Sequence, residues 1–149
     1  PNYEVVQIFY VTDRQDTRNP DPVVRYANDR SRPASISRGL ANVSIPATHV
    51  EGDLESPSWL HLEYRPNPNK HIILRDVEPL EPDPFYQKLN AKVKDSSSGE
   101  VVVFIHGYNV GFEAAARLTA QLARDLDFDV APILYTCPSQ NQLLSYPDA

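Results

Sequence analysis

Two short segments carry the residue types and spacing best suited to chemistry: His106-Gly107-Tyr108-Asn109-Val110-Gly111 and Thr136-Cys137-Pro138-Ser139. In the first, a glycine lets the chain bend sharply, and the peptide N–H groups that follow, led by Tyr108 and Asn109, need not enter a sheet ladder. Such groups, aimed at one point beside a helix N-terminus, can stabilise a developing oxyanion, an effect worth about 3–4 kcal/mol for one donor. A plainer reading stands beside it, in which Gly107 makes the turn and His106 caps the strand, because His-Gly is only a two-residue signal. In the second segment Cys137 and Ser139 are the potential nucleophiles. A Cys137–His106 pair is geometrically conceivable, but a lone cysteine is more often a small buried hydrophobe. Ser139 sits in no glycine elbow and reads as a residue that caps or turns the loop. His106, Gly107, Asn109 and Ser139 are thus the candidate binding residues.

Other reactive types are scattered. His49, His61 and His71 show no i, i+4 or carboxylate pairing of a zinc site, so they read as surface or strand-edge histidines and no metal is expected. The arginines at 14, 18, 25, 30, 32 and 38 are interleaved with Asp13, Asp16, Asp21 and Asp29, which favours a solvated, self-neutralising loop over an anion site. The net charge is −6 over 149 residues, with no segment basic enough to track a phosphate backbone, so nucleic acid is not an expected partner. The longest apolar run, Val101 to Ile105, falls far below the roughly 18 residues that span a bilayer, so no membrane span is expected. One cysteine excludes an internal disulfide. Nothing in the pattern asks for a cofactor.

The elements that must position these groups follow from periodicity. Eleven of the 14 prolines lie in residues 1–84, so residues 1–80 read as short strands joined by irregular loops. Strands are expected at Val5–Val11, at 41–45 ending in Pro46, at 60–64 ending in Pro66, and at His71–Val77. Residues 14–38 are expected as a long surface loop. Asp83-Pro84 resembles an N-cap with proline at the first helical position, and Phe85, Leu89 and Val93 recur every four residues, so a helix is expected over 84–94. Val101–Ile105, apolar on both faces, reads as a central strand covered by helices on each side. The helix after it carries Phe112, Ala115, Ala116, Thr119, Leu122, Ala123 and Leu126 on one face, with Arg117, Gln121, Arg124 and Asp125 facing away. With a strand over 130–135 this makes a βαβ unit at residues 101–135, right-handed and parallel. The fold class is α/β. In an open parallel sheet ligands sit beyond the carboxyl ends of the strands, so 106–111 and 136–139 should share one rim.

Phe104-Ile105-His106-Gly107-Tyr108-Asn109-Val110, then Phe112-Glu113, Asp125-Leu126-Asp127-Phe128 and Ala131-Pro132-Ile133-Leu134-Tyr135, resembles a group of mostly bacterial, poorly characterised α/β-hydrolase-fold proteins classed with esterases and lipases. Upstream, Tyr10-Val11-Thr12-Asp13-Arg14, Val43-Ser44-Ile45-Pro46 with His49 and Gly52, and Lys70-His71 to Leu80 extend the resemblance. It implies a partial α/β-hydrolase fold with a mixed sheet, and an acyl-transfer site in which the Tyr108 backbone N–H supplies half of the oxyanion hole. The Tyr108 and Asn109 side chains would line the acyl pocket. It also implies a serine in a Gly-x-Ser-x-Gly elbow on the next strand, followed by an acid and a histidine. The five glycines, at 39, 52, 99, 107 and 111, form no such elbow. Cys137 stands where relatives usually carry tryptophan.

These readings converge on the N-terminal part of a serine ester hydrolase: one incomplete domain over 1–149 that supplies the oxyanion loop, lacks the nucleophile, and is inactive alone. The alternative is a non-catalytic, hydrolase-like binding or interaction module. Partners are a small acyl or ester substrate once the site is completed, and self-association or a complementary C-terminal polypeptide through the 101–105 strand edge, since an unpaired apolar edge invites pairing. The cytoplasm is the default location, with export after removal of an upstream signal as the other possibility.

Overall fold

A computed structural model describes residues 2–50, 67–127 and 129–138. The strand expected at 60–64, together with His61 and Ser139, lies outside the described residues. Among the described residues seven strands and two helices follow one another as β1 (Tyr3–Thr12), β2 (Arg14–Asp16), β3 (Tyr26–Arg30), β4 (Ser37–Pro46), β5 (Ile73–Pro79), α1 (Pro82–Asp95), β6 (Val101–Ile105), α2 (Phe112–Asp125) and β7 (Ala131–Thr136). Five strands form one mixed sheet in the order β5-β4-β1-β7-β6, and β2 with β3 forms a separate hairpin. β1 pairs antiparallel with β4 but parallel with β7, and β7 is parallel to β6. The chain is therefore an α/β structure of the kind expected for part of an α/β-hydrolase sheet.

Period-two alternation along β1 shows how the layers are filled. Ile8 and Tyr10 enter a core with Val43, Ile45, Leu74, Leu134 and the Phe112, Ala115, Ala116 and Ala120 face of α2. Phe9 points the other way, to a smaller cluster with Leu40, Phe85 and the half-buried Leu89 of α1. The sheet is thus packed between α2 on one face and α1 on the other, a three-layer solution that buries both sides of β1. At Gly39 the absence of a side chain is obligatory, because a Cβ would collide with the Glu78 carbonyl oxygen of β5 and crowd the Tyr10 hydroxyl.

Several expectations change. The 14–38 segment is not one open loop: it folds back as the β2–β3 hairpin with a 3-10 turn at Pro22–Val24. Two of its arginines do neutralise neighbouring carboxylates, Arg25 with Asp16 at 2.6 Å and Arg30 with Asp13 at 3.2 Å. α1 starts two residues early, with Glu81 as the N-cap and Pro82 at the first helical position, where its missing N–H costs nothing. On α2, Gln121 is buried whereas Leu126, one residue past the helix, is 52% exposed, because the helix sits across the β1–β7 region and not over β6.

β6 departs furthest from the central, doubly covered strand that its sequence suggests. Among the described residues it is the edge strand of the sheet, and alternation turns Phe104 toward the α2 core while Val101, Val103 and Ile105 stand 42%, 55% and 65% exposed. Among the described residues nothing covers that face. On the α2 side, a small apolar groove of about 170 Å³ runs between Val102, Phe104, Leu122 and Leu126.

Candidate functional site

Because β1, β7 and β6 are mutually parallel, their carboxyl ends at Thr12, Thr136 and Ile105 open on one rim. The residues just past each strand meet there. His106 is buried, with Nδ1 2.7 Å from the Gly107 carbonyl oxygen and Nε2 2.9 Å from the Thr136 hydroxyl. A carbonyl oxygen can only accept, so Nδ1 carries the proton, and in the neutral ring Nε2 accepts from the Thr136 O–H. The Thr136 hydroxyl in turn accepts from Arg14 Nε at 2.9 Å. Thr12 braces the same corner, its hydroxyl donating to the Thr136 carbonyl at 2.7 Å and accepting from the Arg14 N–H at 3.1 Å.

Among the described residues Arg14 is the largest fully buried side chain. Its guanidinium donates to the Val110 carbonyl at 2.6 Å, to Asn28 Oδ1 at 3.0 Å and to the Ala27 carbonyl at 3.5 Å, besides Thr136. The charge is thus spread over carbonyl and hydroxyl dipoles, with no carboxylate in hydrogen-bonding contact among the described residues. Burial lowers its pKa from the ordinary arginine value, opposed by the nearby Cys137 and Asp13. The side chain ties β1, the β2–β3 hairpin, the 106–111 loop and the end of β7 into one unit.

The loop itself bends in a different place from the one expected. Gly107 has no positive φ, and a Cβ there would meet nothing within 4 Å, so glycine is not forced at this position. The left-handed residue is Asn109, at φ 61°, a conformation that asparagine tolerates better than most residues. Its Oδ1 is buried without a hydrogen-bond partner among the described residues. The Tyr108 side chain is 54% exposed on the rim. Gly107 C=O and Tyr108 N–H belong to one trans peptide and point in opposite directions, so the His106 ring that holds the carbonyl also sets the direction of that N–H. Beside the loop an open hollow of about 440 Å³ lies between the hairpin and the start of α2, lined by Tyr26, Asn28, Gly111 and Glu113.

The structure thus gathers His106, Gly107, Tyr108 and Asn109 with Thr136. Cys137 follows on the same rim, half-buried, but both His106 ring nitrogens are already engaged, which argues against a Cys–His pair. His49 and His71 sit deeper than the surface or strand-edge positions expected of them. His49 has a fully buried side chain whose Nε2 lies 2.9 Å from Asp125 Oδ1, and buried His71 accepts from the Asn67 N–H through Nδ1 at 3.0 Å. Sequence reasoning missed Arg14, Thr12 and Thr136. The available signal was position: Thr12-Asp13-Arg14 directly follows a strand, as His106 does. Among the described residues, no three His, Cys, Asp or Glu side chains converge on a metal position, and no helix is long and apolar enough to cross a membrane.

A mixed five-stranded sheet with helices on both faces is consistent with part of an α/β-hydrolase fold. Residues 81–148, which include α1, β6, α2 and β7, match the model of a family described as an alpha/beta hydrolase of unknown function, DUF900. The blocks upstream of Glu81 lie outside that match. Neither curated proteins nor solved structures yield a match.

Proposed function

We propose that this chain builds the oxyanion side of an ester-hydrolysing acyl-transfer site, with the Tyr108 backbone N–H as donor to the tetrahedral oxygen. The single observation that supports this most is the Gly107–Tyr108 peptide, anchored by His106 at the carboxyl rim of three parallel strands, where such a donor has to be held still. The acyl group lies along the rim against Tyr108 and Asn109, and Ser139 belongs to the same proposed binding surface. No Gly-x-Ser-x-Gly occurs in the sequence, so the nucleophile, its acid and its histidine come from polypeptide beyond these residues. The strand that carries the nucleophile pairs with the open edge of β6.

The test compares hydrolysis of short-chain nitrophenyl esters by the 149-residue chain and by the chain extended with the coding sequence after Ala149. The expected result is no turnover by the first and phosphonate-sensitive turnover by the second. Phosphonate-sensitive turnover by the 149 residues alone would overturn the division of the site. Absence of turnover from both, with a ligand shifting Tyr108 and Asn109 resonances, would favour a binding module on the same rim.

A further inference from the structure

We propose that Arg14 is the positioning residue of the oxyanion loop, holding both of its ends from beneath; this rests on the acyl-transfer reading above. At the near end, Arg14 Nε donates to the Thr136 hydroxyl, which is left with its own proton for His106 Nε2. His106 therefore keeps its proton on Nδ1, bonded to the Gly107 carbonyl, and that bond fixes the plane of the Gly107–Tyr108 peptide. At the far end, Arg14 donates directly to the Val110 carbonyl at 2.6 Å, its shortest hydrogen bond, so the left-handed turn at Asn109 is suspended between two anchors of one guanidinium.

Three features separate this arrangement from an ordinary buried arginine. Its partners lie on elements far apart in sequence, at 28, 110 and 136, and all of them border the loop or its rim. The chain of donors runs one way, from guanidinium to hydroxyl to imidazole to carbonyl, and each bond polarises the next, so the last peptide becomes a stronger N–H donor on its far side. Among the described residues the guanidinium donates to no carboxylate, and its hydrogen bonds go to the carbonyls and hydroxyl that border the loop and to Asn28. A lysine would supply a charge but not the planar fork that reaches Thr136 and Val110 together.

The experiment uses the 149-residue chain and reads the loop without reference to activity. Long-range proton–nitrogen spectra report the His106 tautomer, and backbone ¹⁵N relaxation reports order over 107–110. Wild type should show the Nδ1–H form and rigid-backbone order parameters near about 0.85. Thr136→Val, which removes a hydroxyl at nearly constant shape, and Arg14→Met should both perturb the His106 signal and drop the loop order toward roughly 0.6. Thr136→Ser should restore both. Folded Thr136→Val and Arg14→Met proteins with wild-type His106 signals and a rigid loop, merely less stable, would overturn the proposal. In the extended chain, Thr136→Val should lower kcat with little change in KM, approaching the roughly 100-fold that loss of one oxyanion donor costs. An extended chain without esterase activity would remove the acyl-transfer reading and leave the loop measurements to decide the role of Arg14.

Discussion

Tyr10 and Tyr26 offer a quantitative test of how the hairpin is seated on the core beside the rim. Their hydroxyls are 2.8 Å apart and buried, and both rings pack against Phe112, at centroid distances of 5.2 and 4.7 Å. Burial raises both pKa values above the ordinary tyrosine value, reinforced for Tyr10 by the neighbouring Tyr26 hydroxyl. Tyr10→Phe removes one hydroxyl and with it the buried bond to the Tyr26 hydroxyl. At neutral pH the cost should be about 1–1.5 kcal/mol, or roughly 2–6 °C in Tm for a chain of this size. Alkali reverses the ranking. Unfolded tyrosines ionise near about pH 10 while the folded ones hold their protons, so the folded state binds more protons and stability falls as pH rises. The contribution is fully present below about pH 10 and declines above it by roughly 1.4 kcal/mol per pH unit for each tyrosine. Wild type loses this twice over and Tyr10→Phe once, so their stabilities should meet near about pH 11. Urea unfolding followed by circular dichroism from pH 8 to 11.5 measures the gap directly. A stability difference that stays constant across that range would refute the argument, because it would mean that the Tyr10 hydroxyl ionises as readily folded as unfolded.

Other parts of the structure give sharper single outcomes. Asn109→Ala should cost about 1 kcal/mol because alanine lacks the short polar side chain that lets asparagine occupy the left-handed region, and Asn109→Gly should be close to neutral, as chemical denaturation would show. Ile105→Lys with Val103→Lys places charges on the bare face of β6, and light scattering should show less self-association than for wild type; no change would mean that this edge is not where copies of the chain meet. His49→Ala removes one partner of the half-buried Asp125 and empties a buried imidazole site, and it should lower stability by roughly 1 kcal/mol, with the loop at 106–111 unaffected in NMR spectra because the pair lies at the opposite end of α2.

Much of the framework is local and therefore legible in the chain. The four- and three-residue recurrence of Phe112, Ala115, Ala116 and Thr119 makes α2, and the apolar run Val101–Ile105 followed by a turn and a helix makes β6 and the βαβ unit, because period and turn chemistry act over a few residues. That the 106–111 segment lies on a strand-end rim follows from the same logic. Tertiary structure decided what depends on partners distant in sequence. Arg14 looks like one more charge in an Arg- and Asp-rich run, and only the parallel pairing of β1 with β7 carries it under the loop to Thr136 and Val110. Gln121 and Leu126 exchange their expected environments because helix placement over the sheet, and not periodicity alone, sets which face is buried. β6 reads as a central strand because apolar residues point to both of its faces, yet edge or centre is a property of which strands lie beside it, and no strand's own residues encode its neighbours.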